Sequence, residues 1–340
     1  MRSLQSALAA TLSFIASFAV AGPTPTSSHP PSRVAMRSMS DLQIAATIPI
    51  GKTADWVAVT SNGVWIGSTG PDAVSEIDPQ TNRATRVELP GEPCAGLAVD
   101  NDSLWAPLCG TKHTRPQLAK VDLKTRTLAR TFDIGPAGPE GGVAVGAGSV
   151  WMITDKHGSM ARIDPISGSI LQTVHVPPGS YNPHFSDGHI WVTRVAGAEV
   201  TSVDANTGAV VAHRITGQHP RFLTAGAGAV WTLNQKFGTI SRIDVTGGRT
   251  LTVPLHTPGF GGDITYAEGR IWSTAMPSKV PLSIVDATKS VVLCQWKGEG
   301  GDSIGYGFGA IWLTNYHAGT VSRIELNDLA AECRTTNADR

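Results

Sequence analysis

Ser149-Val-Trp151-Met-Ile-Thr-Asp-Lys-His-Gly-Ser159-Met-Ala-Arg-Ile-Asp164-Pro-Ile-Ser-Gly168 places a tryptophan in one short apolar run and an Arg-Ile pair in a second, then an acid and a Ser-Gly turn. The tryptophan recurs in the same frame at Trp65, Trp105, Trp151, Trp191, Trp231, Trp272 and Trp312, at intervals of 40, 46, 40, 40, 41 and 40 residues. An acid stands 13 residues further on at Asp78, Asp164, Asp204, Asp244 and Glu325, with Asp122 and Asp286 as displaced equivalents. An alternating run such as Ser169-Ile-Leu-Gln-Thr-Val-His-Val176 follows. With the glycine-rich hairpin before the tryptophan, each unit reads as four short strands, A to D. Seven units of about 40 residues predict an all-β, seven-bladed β-propeller with four antiparallel strands per blade, because that period matches one four-stranded sheet.

The tryptophans, on strand B, are expected to pack between blades. The turn acids are expected to accept hydrogen bonds from their own backbone, and neither set is a catalytic candidate. Ile44-Ala-Ala-Thr-Ile-Pro-Ile50 resembles a strand D but precedes the first strand A, while the last unit ends its strand C near Leu326. The N-terminal strand should therefore complete the last blade and remove two open sheet edges.

The chain has 340 residues, with 27 Lys plus Arg balancing 27 Asp plus Glu. That balance argues against a nucleic-acid partner, which needs an excess of cation. Arg2, the apolar stretch Leu8 to Val20 and Ala19-Val-Ala21 read as an export signal over residues 1–21. Residues 22–40 read as a Pro/Ser-rich flexible linker, and residues 41–340 as the propeller. No later stretch is long enough to span a membrane. A secreted or periplasmic, monomeric protein is expected, in a compartment that permits disulfides. The four cysteines allow three pairings, and the repeat register favours Cys94 with Cys109 and Cys294 with Cys333.

The frame from Trp151 through Ser159-Met-Ala-Arg-Ile-Asp164-Pro-Ile-Ser-Gly168 resembles the blades of streptogramin (virginiamycin B) lyases and related YVTN-type repeat proteins, over about residues 43 to 326. The resemblance implies a divalent cation and a histidine on one face, opening a cyclic peptide ester by elimination. The nearest local matches to that family's site are Asp155-Lys-His157 and Asn315-Tyr-His317; the second has Asn in place of a carboxylate.

Length variation points to the working face. Trp105 and Asp122 are 17 residues apart instead of 13, and Asp122 to Trp151 spans 29 residues, against 27 from Asp78 to Trp105. Both insertions fall in the D–A and B–C loops, so function is assigned to that face. The starts of the A strands meet at the channel mouth there. They offer Asp55-Trp56, Ala95-Gly96, Gly141-Gly142, Tyr181-Asn182, Arg221-Phe222, Gly262-Asp263 and Asp302-Ser303. Asp55, Asp263 and Asp302 come from adjacent blades and are the expected ligands of a divalent cation, Mg²⁺ or Ca²⁺, since clustered carboxylates need neutralising. His317 is the expected acid/base. Arg221 and Trp56 are expected to position substrate, with Tyr181 and Asn182 beside them. Glu140 and His157 form a second candidate substrate-binding group.

The leading expectation is thus a propeller enzyme of the lyase type, acting on a small molecule, cyclic ester or glycan by metal-assisted elimination. The alternatives are a non-catalytic propeller that binds a protein, peptide or glycan, and a lactonase-like hydrolase.

Overall fold

The computed structural model describes residues 34–326 and Cys333. The expected signal segment, residues 1–21, lies outside them. The described chain forms seven sheets in sequence order around a channel. Blade one is typical, with strands Asp55–Val59, Val64–Ser68, Ala73–Ile77 and Ala84–Glu88. Blade seven takes Ile304–Gly307, Ala310–Asn315 and Thr320–Glu325 from the end of the repeat and Ile44–Pro49 from its beginning. Ile44–Pro49 runs antiparallel to Thr320–Glu325, pairing Ile44 with Ile324 and Pro49 with Thr320. The ring is therefore closed as the sequence implies.

The repeat works because each tryptophan packs onto the following blade. Trp65 lies with Leu104 and Val121 of blade two, and Trp105 with Val150 and Ile163 of blade three. Trp151 lies with Ile190 and Val203 of blade four, and Trp191 with Val230 and Ile243 of blade five. Trp231 meets Ile271, Trp272 meets Ile311 and Leu313, and Trp312 meets Val64 and Ile66 of blade one. Six of these indoles are 0 % exposed and Trp191 is 4 % exposed. The strand-C cation of the repeat covers the outer face of the ring. Arg162, Arg242 and Arg323 sit directly across from Trp151, Trp231 and Trp312, 5.3, 5.9 and 5.6 Å from the ring centroids. Lys120 does the same for Trp105 at 5.1 Å.

The turn acids do what their position suggests. Asp164 Oδ1 accepts from the amides of Ile166 and Ser167, and Asp204 Oδ1 from those of Asn206 and Thr207. Those bonds hold both carboxyls below their usual range. The A–B hairpins turn through paired residues of positive φ, such as Ala147 (50°) with Gly148 (67°), the geometry that fits strand twist.

Both disulfides form in the favoured pairing, Cys94–Cys109 and Cys294–Cys333, with Cα atoms 5.6 and 5.7 Å apart. One expectation needs correction. The end of the segment read as a linker contains a strand, Ala35–Ser38, which pairs in parallel with Val291–Lys297 as a fifth strand of blade six. Its composition is not apolar, so no periodicity marked it; the pairing stems from an open outer edge. Among the described residues no helix is long and apolar enough to cross a membrane.

Ring closure depends on Ile48, which is 4 % exposed beside Trp312, whereas Ile44 on the same strand is 47 % exposed. Replacing Ile48 with Asp buries an unpaired charge and should lower stability by about 3–5 kcal/mol, while Ile44→Asp should change it by about 0.5 kcal/mol or less. Urea denaturation followed by tryptophan fluorescence would compare the two; equal midpoints would refute closure by this strand.

Candidate functional site at the channel mouth

The first residues of the A strands converge at the end of the channel that carries the D–A and B–C loops. They are stapled there to one another. Asp302 Oδ1 accepts from the Gly262 amide of blade six at 2.9 Å. Asp55 Oδ1 accepts from Ser303 Oγ of blade seven at 2.6 Å and from the Trp56 amide at 2.8 Å. Asn182 Nδ2 donates to the carbonyls of Arg221 (2.9 Å) and Glu140 (3.3 Å), and the Gly96 amide to the Gly141 carbonyl (2.9 Å). The polar residues that open the strands thus join blades as well as line the mouth.

A cavity of about 230 Å³ occupies the mouth. Its wall includes the carboxylates of Asp55, Asp302 and Glu140 and the rings of Trp56, Phe222, Phe260 and Tyr316. In Asp55 and Asp302 one carboxyl oxygen is used by the staples, and Oδ2 has no donor among the described residues. Asp302 is only 7 % exposed. Burial raises the pKa of Asp55, and the neighbouring charge of Asp302 raises it further. Burial likewise raises that of Asp302, opposed by the Gly262 amide, while Glu140 pushes it up and His317 pulls it down. Both acids are thus held above the usual carboxylate range, by burial first and, for Asp55, by the charge of Asp302 as well.

The third expected acid is elsewhere. Asp263 lines a separate cavity of about 310 Å³ inside the channel, which His184 also lines. The reason is register. The Asp263 amide donates to Thr274 Oγ1 as the Ser303 amide donates to Thr314 Oγ1, so Asp263 matches Ser303, and Gly262 matches Asp302. One step along a strand reverses the side-chain direction. Between the two cavities stand Trp56 and Phe222, which border both, their ring centroids 5.8 Å apart. Trp56 holds a positive φ of 57°, unusual for a non-glycine residue, at a break in strand register. Glu140, from the enlarged connector and also at positive φ (62°), supplies the third acid of the mouth instead. Burial raises its pKa and Arg221 draws it back down.

The remaining candidates divide. Arg221 is committed within the rim: its guanidinium lies 5.0 Å from the Tyr181 ring centroid, its Nη2 3.4 Å from the Tyr181 hydroxyl and 3.9 Å from Glu140 Oε2. Tyr181 in turn donates to the Pro139 carbonyl. His157 is exposed on its B–C loop, where its amide donates to Asp155 Oδ1, and it does not border the mouth cavity. His317 lies in the short 3-10 turn Tyr316–Ala318 and borders a groove between blades six and seven, with Met276, Pro277 and Lys297. Tyr316, edge-on to His317 at 5.1 Å, borders both groove and mouth. Phe260 and Tyr316 were not singled out by the sequence reading. The signals available were an aromatic in the glycine-rich connector Pro258-Gly-Phe-Gly-Gly-Asp263 and the ring next to His317.

The three acids expected to hold a cation do not line one cavity. Among the described residues no three His, Cys, Asp or Glu side chains are placed to hold one metal ion. Asp263 is turned into the channel, away from the cavity that Asp55, Asp302 and Glu140 line.

The chain matches a streptogramin B lyase structure with a TM-score of 0.67 at 16 % identity, over 82 % of this chain and 96 % of that one. The fold is that of the lyase propellers. Virginiamycin B lyase from Staphylococcus aureus gives a TM-score of 0.65 at 16 % identity over 83 % and 98 % of the two chains. BamB from Moraxella catarrhalis gives 0.62 at 14 % identity over 84 % and 97 %. No family model matches the sequence, and no curated protein does.

Burial pushes Asp263 up to about 7 and His184 down to about 4. An aspartate raised in the folded state contributes stability below about pH 4 that is lost as pH rises to about 7. His184 works in the opposite direction, losing stability as pH falls below about 6.5. The difference in Tm between wild type and Asp263→Asn isolates the first effect. It should fall, in favour of the variant, from pH 5 to about pH 7 and level off above that; a difference independent of pH would show Asp263 ionised throughout.

Proposed function

We propose that this chain is an exported propeller that binds a small molecule at the channel mouth and moves a proton there, in an elimination of the lyase kind. The observation that supports this most strongly is the Asp55–Asp302 pair. Two neighbouring acids with unengaged oxygens are electrostatically unfavourable, and a staple between blades does not require a carboxylate. The equivalent strand starts of blades two, three and four are stapled through backbone or amide groups, as Gly96, Gly141 and Asn182 show. Buried acids facing a cavity with raised pKa values are the environment in which catalytic carboxyls occur.

With one carboxyl of the pair ionised and the other protonated, an ionised base would stand next to an acid. The base would take the proton from a carbon adjacent to a carbonyl. The electron pair of that C–H bond forms the new C=C bond as the C–O bond to the leaving group breaks, and the acid returns a proton to the departing oxygen. The aromatic wall would orient the substrate and exclude water. His317, on the groove side, favours the ionised form of Asp302 through its charge. No step is routed through a metal ion. Export accords with the two disulfides.

Incubation with a panel of cyclic esters, followed by mass spectrometry, tests the reading. A product isomeric with the substrate supports it, with Asp302→Asn slowing turnover by about 10²-fold or more. A product heavier by one water makes the protein a hydrolase. A ligand bound without turnover makes it a binding module.

A further inference from the structure

The mouth cavity has a charge character that the elimination reading does not use. Its wall holds three carboxylates and no Lys, Arg or His side chain. Arg221, the nearest cation of the rim, is stacked on Tyr181 and faces Glu140 rather than bordering the cavity. Even with one proton shared by Asp55 and Asp302, and with Glu140 balanced by Arg221, a negative charge is left in a partly desolvated space.

The aromatic wall adds an independent observation. Four of the seven repeat tryptophans take a cation of the chain over the ring: Trp105 from Lys120, Trp151 from Arg162, Trp231 from Arg242 and Trp312 from Arg323. Among the described residues Trp56, Phe260 and Tyr316 have no such partner; Trp56 has only the Phe222 ring and Tyr316 only the His317 ring. Phe260 is 71 % exposed, an apolar side chain left at the rim with no packing role. Rings beside carboxylates attract a positive charge through both the ring quadrupole and Coulomb interaction. A divalent metal ion needs several oxygens at bonding distance, and among the described residues no three His, Cys, Asp or Glu side chains are grouped to supply them. A larger, softer cation can touch separated acids and rings together.

We propose that the channel mouth is a binding site for an organic cation, an amine of roughly aromatic-ring size, held between the carboxylates of Asp55, Asp302 and Glu140 and the rings of Trp56, Phe260 and Tyr316. The inference rests on the mouth being the small-molecule site, and it names the chemical class of the ligand: the substrate carries an amine near its reacting end. Asp302 Oδ2 and Asp55 Oδ2, left without donors by the inter-blade staples, are the acceptors for its N–H groups.

Isothermal titration of the full chain at pH 7.5 with benzylamine, benzyl alcohol, benzoate and Ca²⁺ tests it, because the first three share a ring and differ in charge. Benzylamine should bind at least tenfold more tightly than benzyl alcohol, with benzoate weakest. Glu140→Gln, a change at a half-exposed side chain that circular dichroism can show to be folded, should reduce the preference for amine over alcohol at least threefold and leave alcohol binding unchanged. Phe260→Ala should weaken both ring ligands. Alcohol or benzoate binding as tightly as the amine overturns the cation site but keeps the mouth as a small-molecule site. Ca²⁺ binding that excludes benzylamine overturns it in favour of a metal. If no ring ligand binds, the small-molecule reading of the mouth fails as well.

Discussion

The fold depends on one contact repeated around the ring: the indole of one blade lying against the strands of the next. A fully buried tryptophan removes about 200 Å² from water, worth roughly 5 kcal/mol at about 25 cal/mol per Å². A four-stranded sheet cannot supply that burial alone. Each sheet therefore needs a neighbour on either side, and the last needs the first. Closure by Ile44–Pro49 follows from the same requirement.

Close packing of blades brings the starts of the A strands to one small circle, where backbone groups leave their sheets without ladder partners. The protein satisfies them with short polar side chains reaching across to the adjacent blade, such as Ser303, which accepts from the Trp56 amide, and Asp302, which accepts from the Gly262 amide. The candidate site is built from these staples. A carboxyl that binds a neighbouring amide through Oδ1 is held rigidly, and its Oδ2 is presented to the cavity. Stability and chemistry therefore share atoms here, and they pull in opposite directions, because the charge that would serve chemistry is the one that burial disfavours.

Much of this was legible from the chain. The interval between tryptophans gave the blade count, the displaced N-terminal strand gave closure, and the insertions near Cys109 and Glu140 marked the end of the ring at which loops vary. Asp55 and Asp302 were identified as neighbours although 247 residues separate them. Asp263 was misplaced because the connector before it carries an extra residue, and a single step of register decides which cavity a side chain enters. Glu140 was assigned to a second group because loop conformation, not repeat position, carries it over the mouth. The fifth strand of blade six escaped notice because edge pairing is read from an exposed backbone rather than from side-chain pattern.

Taken by itself, the order of residues determined everything that periodicity can encode: strand number, the indole layer, the hydrogen-bonded turn acids, the disulfide pairs and the end of the ring at which loops vary. These are local or repeated properties, and each unit states them again. The tertiary structure alone decided which polar residues share a cavity, that Trp56 and Phe222 divide mouth from channel, that Arg221 is occupied by Tyr181 and Glu140, and that His317 faces a groove. Those outcomes hang on side-chain direction and on distances of a few ångströms between blades far apart in sequence, and no repeat register specifies such distances.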